Sequence, residues 1–218
     1  MSFLECEWII ITIFAPMNEN NWSENIIIAD ADHIDKVAFN LIVNFERMLG
    51  RRIPQADLSK WAECVALDGG VRERKQPAAD EQQTHVVLIY NKQQQQLKNF
   101  VPSDYEKELN GQAFKSNLGE FVISALPVEE LTNKDDFFIE TLEMVGTQKD
   151  VKRLMVIPSD SLYNRVAQTL RQIDNTDQHI TLFSMEPRPS GQYRQEILGY
   201  SLMAALGISG DEIEGKMR

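Results

Sequence analysis

The chain has 218 residues, of which 43% are hydrophobic and 25% charged, the balance of an ordinary globular domain with room for a full core. Its formal net charge of -11 makes the surface as a whole repel nucleic acid and anionic membrane, so such partners would need a local basic patch. Cys6 and Cys64 stand far apart in no metal-ligand spacing, which excludes a zinc site and points to a reducing, cytoplasmic setting.

The N-terminus carries an apolar run, Trp8 to Ala15, too short to span a bilayer. Glu5 and Glu7 precede it where a signal peptide would be basic. Residues 1–24 therefore read as a poorly packed leader, with Met17 as the expected natural start and a short membrane-associating leader as the alternative. Residues 25–208 read as one domain and 209–218 as a ragged tail.

The first strand is expected at Ile26-Ile27-Ile28-Ala29, a β-branched run too short for a helix. Apolar residues at Ile34, Val37, Ala38, Leu41, Ile42, Phe45, Met48 and Leu49 then predict a helix that Gly50 ends. Pro54 is expected to open a second helix carrying Leu58, Trp61, Ala62 and Val65, and Val71 to Thr84 to form an exposed loop. A second strand covers His85 to Tyr90. The polar stretch Asn91 to Leu118 holds a glutamine run and one short helix, Ser103 to Leu109. The third strand is Glu120 to Leu126. Asn133 is a candidate N-cap for a helix through Val145, and Arg153 to Ile157 is the fourth strand. A helix with Leu162, Val166, Leu170 and Ile173 follows, then a fifth strand, His179 to Phe183. Pro187, Pro189 and Gly191 lead to a last helix with Leu198, Leu202 and Leu206.

This alternation predicts an α/β fold, a single three-layer domain of about five mostly parallel strands with helices on both faces. Right-handed crossovers put the ends of strands one, three and four on one edge, where open α/β sheets bind ligands. No Gly-x-Gly-x-x-Gly follows the first strand, so a dinucleotide site is unsupported.

That edge collects acids. Asp30 and Asp32 follow strand one, Asp135 and Asp136 open the helix after strand three, and Asp160 follows strand four. Converging carboxylates repel one another unless a cation neutralises them. Hard oxygen ligands suit Mg²⁺ or Mn²⁺, which can position water and stabilise charge on a displaced phosphate ester. The plainer reading makes Asp32 a helix cap, Asp135 and Asp160 caps or dipole partners, and His33 a local hydrogen-bonding residue. Arg51, Arg52, Arg72, Arg74 and Lys75 could track an RNA backbone or simply form solvated surface.

In order and spacing, these motifs resemble the PIN-like nuclease superfamily, and within it the NYN domains and their bacterial relatives. Asp30-Ala31-Asp32 is similar to the first-strand motif of one bacterial branch; Asp136, Ile139 and Glu140 resemble the helix after strand three; Ser159-Asp160-Ser161 looks like the fourth-strand motif. The resemblance covers roughly residues 25 to 185. It implies a metal-dependent ribonuclease with Asp30, Asp136 and Asp160 as catalytic metal ligands for Mg²⁺ or Mn²⁺. Asp32 and Asp135 would be further acids, with His33 and Ser159 auxiliary. The chain departs from the pattern at His33, which stands for an Asn, at Leu162, which stands for a second Asp, and at Pro158.

Two alternatives stay open: a catalytically degenerate PIN-like module acting in protein interactions, and a haloacid-dehalogenase-like phosphohydrolase. Asp30-Ala31-Asp32 fits the opening Asp-x-Asp of the latter, which needs a Thr where Ile34 stands, a later Lys and a final acid pair. RNA is the partner implied by the first reading; no membrane and no DNA-specific motif is expected, and homo-oligomerisation is open.

Overall fold

The computed structural model describes residues 22–74, 82–129, 132–173, 177–188 and 191–217. Residues 1–21 of the leader and Lys75 lie outside the described residues, whereas the end of the expected poorly packed leader is packed: Ser23 is buried and Trp22 lies against the core. β1 (Asn25–Asp30) is followed directly by α1 (Ala31–Leu49), and β2 (Ala56–Asp57) by α2 (Leu58–Asp68). β3 (Gln83–Asn91) leads through β4 (Phe100–Val101), a π-helical turn (Tyr105–Leu109) and β5 (Ala113–Ser116) to β6 (Gly119–Val128). Then come α3 (Lys134–Gly146), β7 (Arg153–Ile157), α4 (Tyr163–Gln172), β8 (His179–Ser184), β9 (Arg194–Ile197), α5 (Leu198–Ala205) and α6 (Gly210–Met217).

Seven strands form one mixed, mostly parallel sheet in the order β5-β6-β3-β1-β7-β8-β9, with only β5 antiparallel. From β1 the chain steps outward through β3 to β6, returns to the other side of β1, and steps outward again through β7, β8 and β9. The order therefore reverses between β1 and β7, the switch point where a crevice opens at the carboxyl ends of the strands. Helices cover both faces. On one, Ile34, Trp61, Val65 and Leu202 of α1, α2 and α5 pack on Ile27, Val86 and Met155. On the other, Phe138, Leu142, Val166 and Leu170 of α3 and α4 pack on Ile28, Val87 and Val156. Alternate residues of β1 thus serve opposite cores, which explains a continuous apolar run rather than an alternating one.

Several boundaries differ from the sequence reading for identifiable reasons. The sheet has seven strands, not five, because β5 and β9 are edge strands of largely polar residues, which need no apolar run. Gly119 lets β5 and β6 close: it sits at φ +109°, and a Cβ there would lie 2.0 Å from the Gln82 carbonyl oxygen. The second helix opens at Leu58 rather than Pro54, because Asp57 caps it by accepting the Lys60 N–H at 3.0 Å. β3 begins at Gln83, inside the expected loop. Residues 210–217, expected as a ragged tail, form α6, anchored by a two-pronged Arg51–Glu212 ion pair with both contacts at 2.9 Å. The caps at Asn133 and Gly50 stand where expected.

One polar pair lies deep in the sheet. His85 on β3 is 3% exposed, and its Nε2 lies 2.7 Å from the Ser124 hydroxyl on neighbouring β6. Burial pushes the imidazole pKa down from 6.5 to about 4. The folded state therefore holds the neutral ring. This contribution is complete above pH 6.5 and is lost as pH falls from there through about 4. Urea titrations of wild type and His85→Gln should differ in their pH dependence by about 3 kcal/mol between pH 7 and pH 4, the wild type falling more steeply. Parallel curves would show that His85 ionises as easily in the fold as outside it.

Candidate functional site

Asp30 ends the central strand and, in the same residue, caps α1: its carboxylate accepts the His33 N–H at 3.1 Å. The cap expected at Asp32 is thus two residues earlier, at Asp30. A cap at a helix N-terminus gains from the macrodipole. Yet Asp30 is only 2% exposed, and a charge so far from water needs a partner.

The partner is Lys134, the first residue of α3. Its Nζ lies 2.7 Å from Asp30 Oδ1 and 2.8 Å from Asp32 Oδ2. Asp32 Oδ2 also accepts the N–H of Asn91 at 3.1 Å, from the carboxyl end of β3. The end of β3 and the starts of α1 and α3 thus meet at Asp32. Burial lowers the lysine pKa, but the Asp30 charge and the hydrogen bonds the ammonium donates to Asp30 and Asp32 outweigh it and hold the pKa above the ordinary value. Lys134 stays cationic at neutral pH.

His33 lines the same crevice. Burial lowers its pKa, the charges of Asp160 and then Asp30 oppose that, and Lys134 and Lys36 reinforce it, so the ring is neutral at pH 7. Because β1 and β7 pair in parallel, the loop after β7 that carries Asp160 neighbours the start of α1 that carries His33. Tyr105, on the π-helical turn, stands behind the acids: burial, then the charges of Asp32, Asp35 and Asp30, pushes its phenol far above the usual range. It stacks on Tyr90 with ring centroids 3.7 Å apart.

The remaining acids are tied elsewhere. Asp136 is half exposed and paired with Arg165 of α4 at 2.7 Å. Asp160 is more exposed and faces Arg188 at 3.6 Å, and that guanidinium also sits 5.2 Å over the Tyr163 ring. Asp135 occupies the first turn of α3 as a dipole partner. Ser159 bonds Ser161 at 3.1 Å rather than an acid. Among the described residues no three Asp, Glu, His or Cys side chains form a group able to hold a metal. As folded, Asp30, Asp136 and Asp160 each face a cation of the chain, Lys134, Arg165 and Arg188 in turn.

Of the basic residues expected to follow an RNA backbone, the described ones, Arg51, Arg52, Arg72 and Arg74, lie at the opposite edge of the sheet. Arg51, after the end of α1, is taken up by Glu212. Arg74 pairs with Glu24, just before β1, at 2.6 Å. Arg72 donates to the carbonyls of Leu67 and Val71 at 2.6 and 2.7 Å, and Arg52 is exposed nearby. None reaches the acidic crevice.

Sequence reasoning passed over Lys134, Arg165, Arg188 and Tyr105. A signal for the first was present: Lys134 sits between the Asn133 cap and Asp135-Asp136, on the loop predicted to meet Asp30. The fold and this crevice define an α/β domain with a charge-paired site at its switch point. The chain belongs to a family of unknown function, DUF6621, whose model matches residues 19–213. No curated protein and no solved structure matches it. Among the described residues no helix is long and apolar enough to cross a membrane.

Replacing Lys134 by Met should leave Asp30 buried without its counter-ion and destabilise the domain by about 2 kcal/mol in urea denaturation, a buried-pair value reduced for the partial exposure of the lysine. A loss below about 0.5 kcal/mol would mark an ordinary surface pair instead.

Proposed function

We propose that the domain is a PIN-like module that works by binding, its acidic crevice neutralised by its own lysine. The observation that carries this reading is the Lys134 ammonium, within 2.8 Å of both Asp30 and Asp32. An ammonium at that point does for the two carboxylates what a divalent cation would do, which is to relieve their repulsion. The net charge of -11 favours a cationic protein surface as partner over nucleic acid. Departures at His33 and Pro158 from the nuclease pattern agree with it.

A second reading, the metal-dependent ribonuclease, is supported by a different observation: β1 and β7 are parallel neighbours, so Asp30 and Asp160 follow adjacent strands at the same edge. For that reading Lys134 would have to release its carboxylates. The phosphohydrolase reading gains a lysine beside Asp30, but Ile34 still stands at its Thr position, and α1 starts at once after Asp30.

Calorimetry with Mn²⁺ up to 5 mM (a concentration of about this order saturates weak carboxylate sites) should give no binding to wild type. Lys134→Met should then bind Mn²⁺, because two carboxylates without a counter-ion recruit one. EDTA-sensitive cleavage of single-stranded RNA by wild type, abolished in Asp30→Asn and Asp160→Asn, would overturn the binding-module reading for the nuclease. Hydrolysis of a small phosphomonoester, lost in Asp30→Asn alone, would turn it to the phosphohydrolase.

A further inference from the structure

The first half of α1 is seated on the core in the usual way, with Ala31, Ile34, Val37 and Ala38 buried. From Phe39 to Met48 no residue is buried, although six of those ten side chains (Phe39, Leu41, Ile42, Val43, Phe45 and Met48) are large and apolar. Leu41, Ile42 and Phe45 rest on the core with part of their surface. Phe39 is 53% exposed, Met48 39% and Val43 36%, so one helix holds half of the large hydrophobics exposed among the described residues. A helix apolar around most of its circumference is ordinarily covered on all sides. This one is bare on its outer side.

The charges beside the bare stripe form two rows of opposite sign. Phe39 and Val43 lie one turn apart on the outer side. Helical spacing sets Lys36 and Arg47, eleven residues or three turns apart, along one flank of them. Asp35 and Glu46, also eleven apart, run along the other flank. Lys36 and Arg47 are exposed, and neither is ion-paired among the described residues. The acidic row is held by the chain: Asp35 Oδ1 accepts the Asn99 N–H at 2.8 Å, and Glu46 Oε1 accepts the Ile53 N–H at 3.0 Å. Two bases thus balance two acids on this face, on a chain whose net charge is -11.

We propose that this face of α1 is the contact between two copies of the chain, packed side by side and parallel about a two-fold axis that runs along the helix. The charge rows select both the occupant and its orientation. Such a two-fold lays the basic row of each copy against the acidic row of the other, Lys36 toward Asp35 and Arg47 toward Glu46. Phe39 and Val43 then meet their own counterparts between the rows. Antiparallel pairing would set each row against itself, and like charges across an interface cost affinity. A cationic partner of the kind proposed for the crevice finds no excess of acid here, and a polyanion finds no excess of base. A second copy fits both rows at once. The contact uses the C-terminal half of α1, whereas the crevice lies at its N-terminus, so the two sites are independent.

Sedimentation velocity on the full chain reads the association. Wild type should dimerise with a dissociation constant of about 100 μM or tighter. Phe39→Asp, at an exposed position, should be monomeric over the same range. Arg47→Glu and Glu46→Arg each place like charges at both symmetric contacts, so each alone should dimerise about tenfold more weakly, the effect of reversing two exposed ion pairs. Mixed in equal amounts, the two variants should recover the wild-type affinity, because their heterodimer restores opposite charges at both contacts. Circular dichroism verifies that Glu46→Arg folds without its bond to Ile53, and the loss in Arg47→Glu is read independently of it. A wild type that stays monomeric at about 500 μM would overturn the proposal, as would a dimer that Phe39→Asp leaves intact. A mixture no tighter than its components would overturn the parallel arrangement. A monomeric wild type that Ile11→Asp converts to a dimer would assign the face to the chain's own apolar leader and likewise overturn the proposal.

Discussion

Everything at the carboxyl edge of this sheet depends on neutralising Asp30. Its carboxylate is 2% exposed at the end of the central strand, where desolvation of a lone charge costs several kcal/mol. Three features offset that cost. The N-terminus of α1 supplies a positive dipole end, the His33 N–H supplies a hydrogen bond, and Lys134 supplies a full charge at 2.7 Å. A pair at such a distance interacts by about 6 kcal/mol even at an effective dielectric of 20, enough to balance the burial. The lysine therefore belongs to the fold as much as to any site.

The topology delivers that lysine. β6 lies two strands from β1, separated from it by β3, and the chain must cross both on its way to β7. α3 makes that crossing, and its first residue lies over the end of β1. Asn133 fixes where α3 starts by accepting the Asp135 N–H at 3.0 Å, and so fixes where Lys134 points its ammonium. The same sheet then carries opposite characters at its two edges. Acids with internal counter-ions gather at the carboxyl edge, and at the amino edge lies Arg153, which has no carboxylate partner among the described residues.

Much of the frame could be read from residues. β1, β3, β6, β7 and β8 announce themselves because each is buried on both faces and must be apolar along its length. The edge strand Arg194-Gln195-Glu196-Ile197 gives no such signal, since an edge pairs on one side only. α6 was invisible for another reason: its sequence, Gly210 to Met217, is polar, and an ion pair from Arg51, distant in the chain, helps hold it. The acids of the candidate site were correctly placed on one edge by strand order alone. Their partners were not sought, although the rule that converging carboxylates need a cation applies to an ammonium as well as to a metal. Lys134, Arg165 and Arg188 each come from a different loop or helix, and only the folded chain brings each to its aspartate.

The central claim is that Asp30 and Lys134 act on each other, rather than each stabilising the domain by itself. A double-mutant cycle with Asp30→Asn, Lys134→Met and the two combined measures that coupling directly by urea denaturation. The account predicts a coupling of about 1 to 3 kcal/mol, with the double variant more stable than the sum of the single losses implies. Additive losses, with a coupling near zero, would show that the ammonium is not the counter-ion of Asp30, and the reading of the crevice as neutralised from within would be wrong.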